Sequence, residues 1–123
     1  EEDPLHAARR ELLEETGYVS DSWHHFATGL SSSGLSDESL EILVALDARR
    51  EGPGGGVDGE RIDTILVPLD EIHALVQRRN RSGELLDLKI LLAGEAVAIA
   101  RRASPGPDQP GDQPSSSADD TPA

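Results

Sequence analysis

The sequence contains no cysteine and no methionine, and one residue each of tryptophan, tyrosine and phenylalanine. Without cysteine there is no disulfide framework, no thiolate metal site and no cysteine nucleophile. Basic residues are scarce too: 11 Lys and Arg stand against 24 Asp and Glu, a formal charge of −13. That balance argues against nucleic acid and anionic membrane surfaces as partners, because both select clustered cations. No apolar run approaches the roughly 20 residues that span a bilayer, and no signal-peptide pattern opens the chain. At 123 residues the expectation is one small cytoplasmic domain, near the lower end of what closes a core alone. The missing methionine adds an expectation of its own. A translation product starts with Met, whereas this sequence starts Glu1-Glu2-Asp3-Pro4, so an upstream segment is expected.

What is present divides at Ser104. Residues 104–123 hold five of the eight prolines, four acids, no base, and no Leu, Ile, Val or aromatic residue. Such a stretch cannot bury enough apolar area to offset its ordering entropy, and it reads as a disordered tail rich in Pro, Ser and Asp. Residues 1–103 keep 20 acids and 11 bases and carry the domain.

Asp3 and Pro4 read as a helix start, residues 5–16 are strong helix formers, and Gly17 supplies a left-handed stop. Residues 22–30 and 39–48 read as strands, with turn chemistry in the SSSGLSD between them. A glycine-rich loop covers 51–60. Arg61–Val67 reads as a third strand with partial alternation, and Pro68 with Asp70 opens a helix to about Arg79. Asp87 caps a last helix ending near Arg102. His24 and His25 fall on opposite faces of the first strand and form no metal pair. The Arg78, Arg79 and Arg81 cluster suits a helix C-terminus. GPGGG is no phosphate loop, since no Gly-Lys-Ser/Thr follows.

Glu11, Glu14 and Glu15 stand at i, i+3 and i+4, within one sector of roughly 100° on the first helix. Three carboxylates on one face repel each other unless a cation sits among them, and hard oxygen donors suit Mg²⁺ or Mn²⁺. The spacing alone also fits a solvated acidic helix face.

The wider pattern resembles the box of the Nudix hydrolases. Glu2, seven intervening residues and then Arg10-Glu11-Leu12-Leu13-Glu14-Glu15-Thr16-Gly17-Tyr18 match six of its fixed positions: Glu2, Arg10, Glu11, Glu14, Glu15 and Gly17. Chance agreement is on the order of 10⁻⁸ per start position at average residue usage. Tyr18 departs mildly from the closing aliphatic residue, and the opening glycine of the box would fall four residues before Glu1. The resemblance implies an α/β/α sandwich with a mixed sheet between helices, here an N-terminally truncated piece lacking its first strands. It also implies that Glu11, Glu14 and Glu15 are the metal face, with Arg10 holding one carboxylate of that face by a bidentate ion pair.

Downstream segments resemble a narrower group, the ADP-ribose pyrophosphatases. Ser33-Gly34-Leu35-Ser36-Asp37-Glu38 is similar to a substrate-approaching turn, which implies substrate binding by Glu38; an ordinary loop acid is the alternative. Val57-Asp58-Gly59-Glu60-Arg61-Ile62, followed by Val67-Pro68-Leu69-Asp70-Glu71, matches that group in order and spacing. By resemblance Glu60 is a further metal ligand, and Asp58 stands where a catalytic glutamate is frequent, one methylene shorter. The glycines around them suit a mobile loop that closes on substrate, or else a solvated linker.

The resemblance thus implies a Mg²⁺-dependent pyrophosphohydrolase that splits ADP-ribose into AMP and ribose 5-phosphate. Glu14, Glu15, Asp58 and Arg10 would be its catalytic residues and Glu11, Glu14, Glu15 and Glu60 its metal ligands. A small-molecule nucleoside diphosphate is the expected partner, with a homodimer in the longer protein. The alternatives are another nucleoside diphosphate derivative as substrate, a non-catalytic ADP-ribose-binding module, or a piece inactive alone.

Overall fold

The computed structural model describes residues 2–103, in helices and two small antiparallel sheets. The expected tail, 104–123, lies outside the described residues. Helix α1 (Pro4–Thr16) begins with proline at its first position, where a missing N–H costs nothing. Asp3 occupies the cap position, but its side chain makes no capping bond; its carbonyl oxygen accepts the Ala7 N–H at 2.9 Å. The helix ends on Gly17 at φ 78°, whose N–H returns to Leu13 O at 2.9 Å. This is the left-handed stop that glycine adopts without steric penalty.

After Gly17 come β1 (Tyr18–Val19), β2 (Ser22–Leu30), β3 (Ser39–Leu46) and β4 (Arg49–Arg50). Strands β2 and β3 form one antiparallel hairpin, from Ser22 opposite Leu46 to Leu30 opposite Ser39. Strands β1 and β4 form a short ladder at its base, Tyr18 opposite Arg50 and Val19 opposite Arg49. Ser20 is buried between the two sheets' connections: its hydroxyl donates to the carbonyl of Leu46 and accepts the Ser22 N–H at 3.1 Å.

The hairpin carries one irregularity. His25 pairs with Leu43 and Ala27 with Ile42, leaving Phe26 as an extra residue, a β-bulge. The ladder places His24 opposite Val44, on the inner face, and His25 opposite Leu43, so the two histidines do take opposite faces.

Helix α3 (Ala93–Ala103) covers that inner face. Val44 and Leu46 pack with Ala96 and Ala100, with Phe26 and Val97 against them. A single 3₁₀ turn, Leu88–Leu92, leads into it and is capped by Asp87, whose carboxylate accepts the Lys89 N–H at 3.0 Å. Helix α2 (Ile72–Arg81) follows a 3₁₀ turn at Leu69–Glu71 and buries Ile72 and Val76. Its last turn holds Arg78, Arg79 and Arg81, where cations offset the helix dipole as expected.

One expected element is absent. Residues 61–67 form no strand; Ile65 and Leu66 are 62% and 75% exposed. Within that run, the backbone hydrogen bond among the described residues is from Ile62 N–H to Gly55 O, at 3.0 Å. Alternation gives a segment the capacity for a ladder, but a strand exists only where a neighbour supplies the partner groups. The second expected strand, 39–48, is also cut short at Leu46 because Asp47 turns to φ 51°.

Candidate functional site

Helix α1 displays its carboxylates on two adjoining flanks. Glu11 and Glu15, one turn apart, line a cavity of about 640 Å³ between α1, β3 and α3, together with Trp23, Glu41, Val44 and Ala96. Glu14 instead belongs to an ion-pair cluster on the neighbouring flank. The Arg10 guanidinium donates to Glu2 through two nitrogens, Nε to Oε2 at 3.3 Å and Nη2 to Oε1 at 2.8 Å. Its third nitrogen, Nη1, donates to Glu14 Oε2 at 3.2 Å. Arg10 therefore joins the chain before the helix to the last turn of the helix. The expected bidentate partner was a carboxylate of the Glu11, Glu14 and Glu15 face; the two-nitrogen contact goes to Glu2, and Glu14 receives one bond. This hydrogen bond holds the Glu2 carboxyl below its ordinary pKa, and the same partner pushes the Arg10 value up.

The loop between β4 and residue 61 is fastened to the end of α1. Glu51 and Gly52 donate their N–H groups to Gly17 O at 2.8 and 3.0 Å, Gly55 donates to Glu15 O at 2.8 Å, and Gly56 to Glu14 O at 2.9 Å. These bonds satisfy carbonyls that a helix terminus leaves without an intrahelical partner. They also anchor the first part of this loop, residues 51–56, to the helix end. Beyond Gly56 the chain makes one tight turn, closed by Glu60 N–H to Val57 O at 3.1 Å. Asp58 and Gly59 at its centre have φ 53° and 84°, the left-handed pair that a type I′ turn needs.

The structure thus brings Glu60 next to the C-terminal end of α1, since Glu60 folds back over Gly56. It places Asp58 at the exposed apex of the same turn. Glu38 stands in the hairpin loop at the other end of β2 and β3, exposed, its N–H donating to Ser36 Oγ at 3.0 Å. Neither an α1 carboxylate nor Glu60 is among its hydrogen-bond partners. Three residues further on, Glu41 does share the cavity of Glu11 and Glu15. Its signal in the sequence is a lone acid within the strand run Leu40–Leu46, outside the spacing that groups the α1 glutamates.

The donor set suits a hard divalent cation. Among the described residues no three carboxylates or imidazoles converge as a closed metal cluster. Mg²⁺ does not need one, because it keeps several waters and takes one or two protein carboxylates plus substrate phosphates. Glu11 and Glu15, side by side on one cavity wall, meet that requirement. No helix among the described residues is long and apolar enough to cross a membrane.

Comparison with known proteins gives a consistent result. The family model for the NUDIX domain matches residues 1–88. Relatives include the GDP-mannose pyrophosphatase of Citrobacter koseri, 32% identical over 94 residues, which covers 74% of this chain and 47% of that protein. The GDP-mannose pyrophosphatase of Salmonella typhimurium is 33% identical over 94 residues, with 74% and 47% covered. The methanol dehydrogenase activator of Bacillus methanolicus is 31% identical over 99 residues, with 80% and 51% covered. The chain spans about half the length of the curated relatives it matches. With Arg10, Glu11, Glu14 and Glu15 of the box on one helix, the glycine loop bonded to the end of that helix, and a family match over residues 1–88, the chain belongs to the Nudix family.

Proposed function

We propose that this protein is a divalent-metal-dependent pyrophosphohydrolase of nucleoside diphosphate sugars, acting in the cytoplasm. The observation that carries the reading is the pair Glu11 and Glu15 on the wall of the cavity between α1, β3 and α3, flanked by the Arg10 clasp on Glu14. Glu11, Glu14 and Glu15 would hold Mg²⁺ or Mn²⁺, and Glu60 would add a carboxylate from the glycine loop. When bound, such a cation screens the diphosphate oxygens and acidifies a water. Arg10 orients rather than reacts: it fixes the Glu14 carboxylate and ties down the chain before the helix. By resemblance Asp58, on its tight turn, would accept the proton of the attacking water. Glu38 would approach the sugar from the hairpin loop.

ADP-ribose is the first substrate to assay, from the resemblance of residues 33–38 and 57–71. GDP-mannose is the second, because relatives carry that name. The test is release of AMP or GMP by the purified protein with Mg²⁺. Activity should vanish with chelator and return with Mg²⁺ or Mn²⁺, and Glu15→Gln should lower it by about 100-fold. Full turnover in both Glu14→Gln and Glu15→Gln would overturn the assignment of the metal face.

The second reading is a module that binds a nucleoside diphosphate without cleaving it. Calorimetry decides between them. Tight ADP-ribose binding with no hydrolysis in Mn²⁺ selects the binding module.

A further inference from the structure

Three consecutive glycines, Gly54, Gly55 and Gly56, take left-handed backbone angles of φ 65°, 93° and 90°. Gly55 and Gly56 form a natural comparison. Their angles match, and each donates its N–H to a carbonyl of α1, Gly55 to Glu15 and Gly56 to Glu14. They differ in what lies over the α-carbon. A Cβ on Gly55 would meet nothing within 4 Å. A Cβ on Gly56 would stand 2.7 Å from Glu60 Cβ, 2.9 Å from Glu60 Oε2 and 3.3 Å from Ile62 Cδ1. Glu60 is seated there by its own bonds: Oε2 accepts the Val57 N–H at 3.4 Å, and its N–H closes the turn onto Val57 O.

We infer that Gly56 is a positioning residue whose bare α-carbon seats the Glu60 carboxylate against the C-terminal end of α1, where the Gly56 N–H bonds the Glu14 carbonyl oxygen. The inference rests on the reading of Glu60 and the α1 carboxylates as cation ligands. A carboxylate at a cation site has to be held to about half an ångström. Rotating the Glu60 side chain relieves the contact at Oε2 but not the one at Cβ, which moves only with the backbone. Any side chain at position 56 therefore shifts the whole turn from Val57 to Glu60, and the carboxylate with it. The same shift strains the bond from Gly56 N–H to Glu14 O, so the displacement reaches α1 directly.

The experiment measures Mn²⁺ affinity by calorimetry for the wild type, Gly55→Ala, Gly56→Ala, Glu60→Gln, Glu15→Gln and the double variant Gly56→Ala with Glu60→Gln. Gly55→Ala and Gly56→Ala share the backbone penalty, and Gly56→Ala adds the clash with Glu60, so its melting temperature should fall further. Gly56→Ala alone should weaken Mn²⁺ binding, by about 10- to 100-fold, matching Glu60→Gln. It should add nothing further once Glu60 is Gln. Equal losses in Gly55→Ala and Gly56→Ala, or an undiminished loss in the Glu60→Gln background, would overturn the inference. Unchanged affinity in Glu15→Gln would overturn the metal reading itself. Loss in Glu15→Gln with full affinity in Gly56→Ala overturns the positioning role alone. Should Gly56→Ala fail to fold, amide hydrogen exchange on the wild type replaces it: Mg²⁺ should slow exchange at Gly56 and Glu60, and unchanged rates overturn the inference.

Discussion

Gly17 and Gly52 meet backbone to backbone: a Cβ on Gly17 would collide with the carbonyl oxygen of Gly52. Gly17 thus ends α1 and accepts the glycine loop against it, through Glu51 and Gly52 N–H bonds to its carbonyl. Gly17→Ala combines a left-handed alanine, about 1–2 kcal/mol, with a clash that side-chain motion cannot relieve. The expected loss is at least about 2 kcal/mol, read from the urea midpoint, together with weaker metal binding as the loop lifts away.

The Arg10 clasp predicts a pH response with a definite sign. Arg10 holds the Glu2 carboxyl below its ordinary value of 4.5, chiefly by hydrogen bonding. A depressed carboxyl favours the folded state above its unfolded value and loses that contribution as pH falls through the folded one. The clasp should therefore be intact at neutral pH and open only below about pH 4.5. Arg10→Lys keeps the charge but loses the two-nitrogen contact, so Glu2 should titrate closer to 4.5 by carbon-detected NMR. Unfolding stability should hardly change, because the pair lies in solvent.

Ser20 is the buried polar residue at the base of the hairpin. Ser20→Ala removes the donor to Leu46 O and the acceptor for Ser22 N–H. The expected cost is about 1–2 kcal/mol, measured by chemical denaturation.

Two apolar residues of similar character should behave oppositely. Val76 is 4% exposed on α2 and Leu85 is 97% exposed in the connector after it. Val76→Ala should cost about 2 kcal/mol, while Leu85→Ser should stay within about 0.5 kcal/mol. Thermal melts of the two variants check both values.

The features legible in the sequence were those set by short-range chemistry. Pro4, Gly17 and Asp87 announce helix boundaries because each acts through its own backbone or a neighbour two to four residues away. The i, i+3, i+4 geometry placed Glu11, Glu14 and Glu15 on one sector before any tertiary contact was known. What escaped depends on partners distant along the chain. The ladder of Tyr18–Val19 with Arg49–Arg50 is too short to leave a periodic trace, and residues 61–67 alternate without a partner strand. Arg10 illustrates the boundary. Its bond to Glu14 follows from helix spacing, whereas its stronger hold on Glu2 depends on the path taken before the helix begins. Glu41 was missed for the same reason, since only the packing of α1 and α3 beside β3 brings it to the cavity of Glu11 and Glu15.

The extra residue at Phe26 has a consequence for how this hairpin is compared or engineered. Even-numbered positions of β3 pair with even positions of β2 at His24 and Ser22 but with odd ones at Ala27 and Gly29. The strand thus changes its parity midway, and its two halves obey separate alignments. A relative without the bulge matches this strand only with a one-residue gap at Phe26; aligned without the gap, every position beyond it is compared with one on the opposite face. Deleting Phe26 is accordingly a different kind of perturbation from replacing it. Substitution removes one ring from the core, while deletion joins His25 directly to Ala27 and turns the bulge into a regular ladder, each residue keeping its partner on β3.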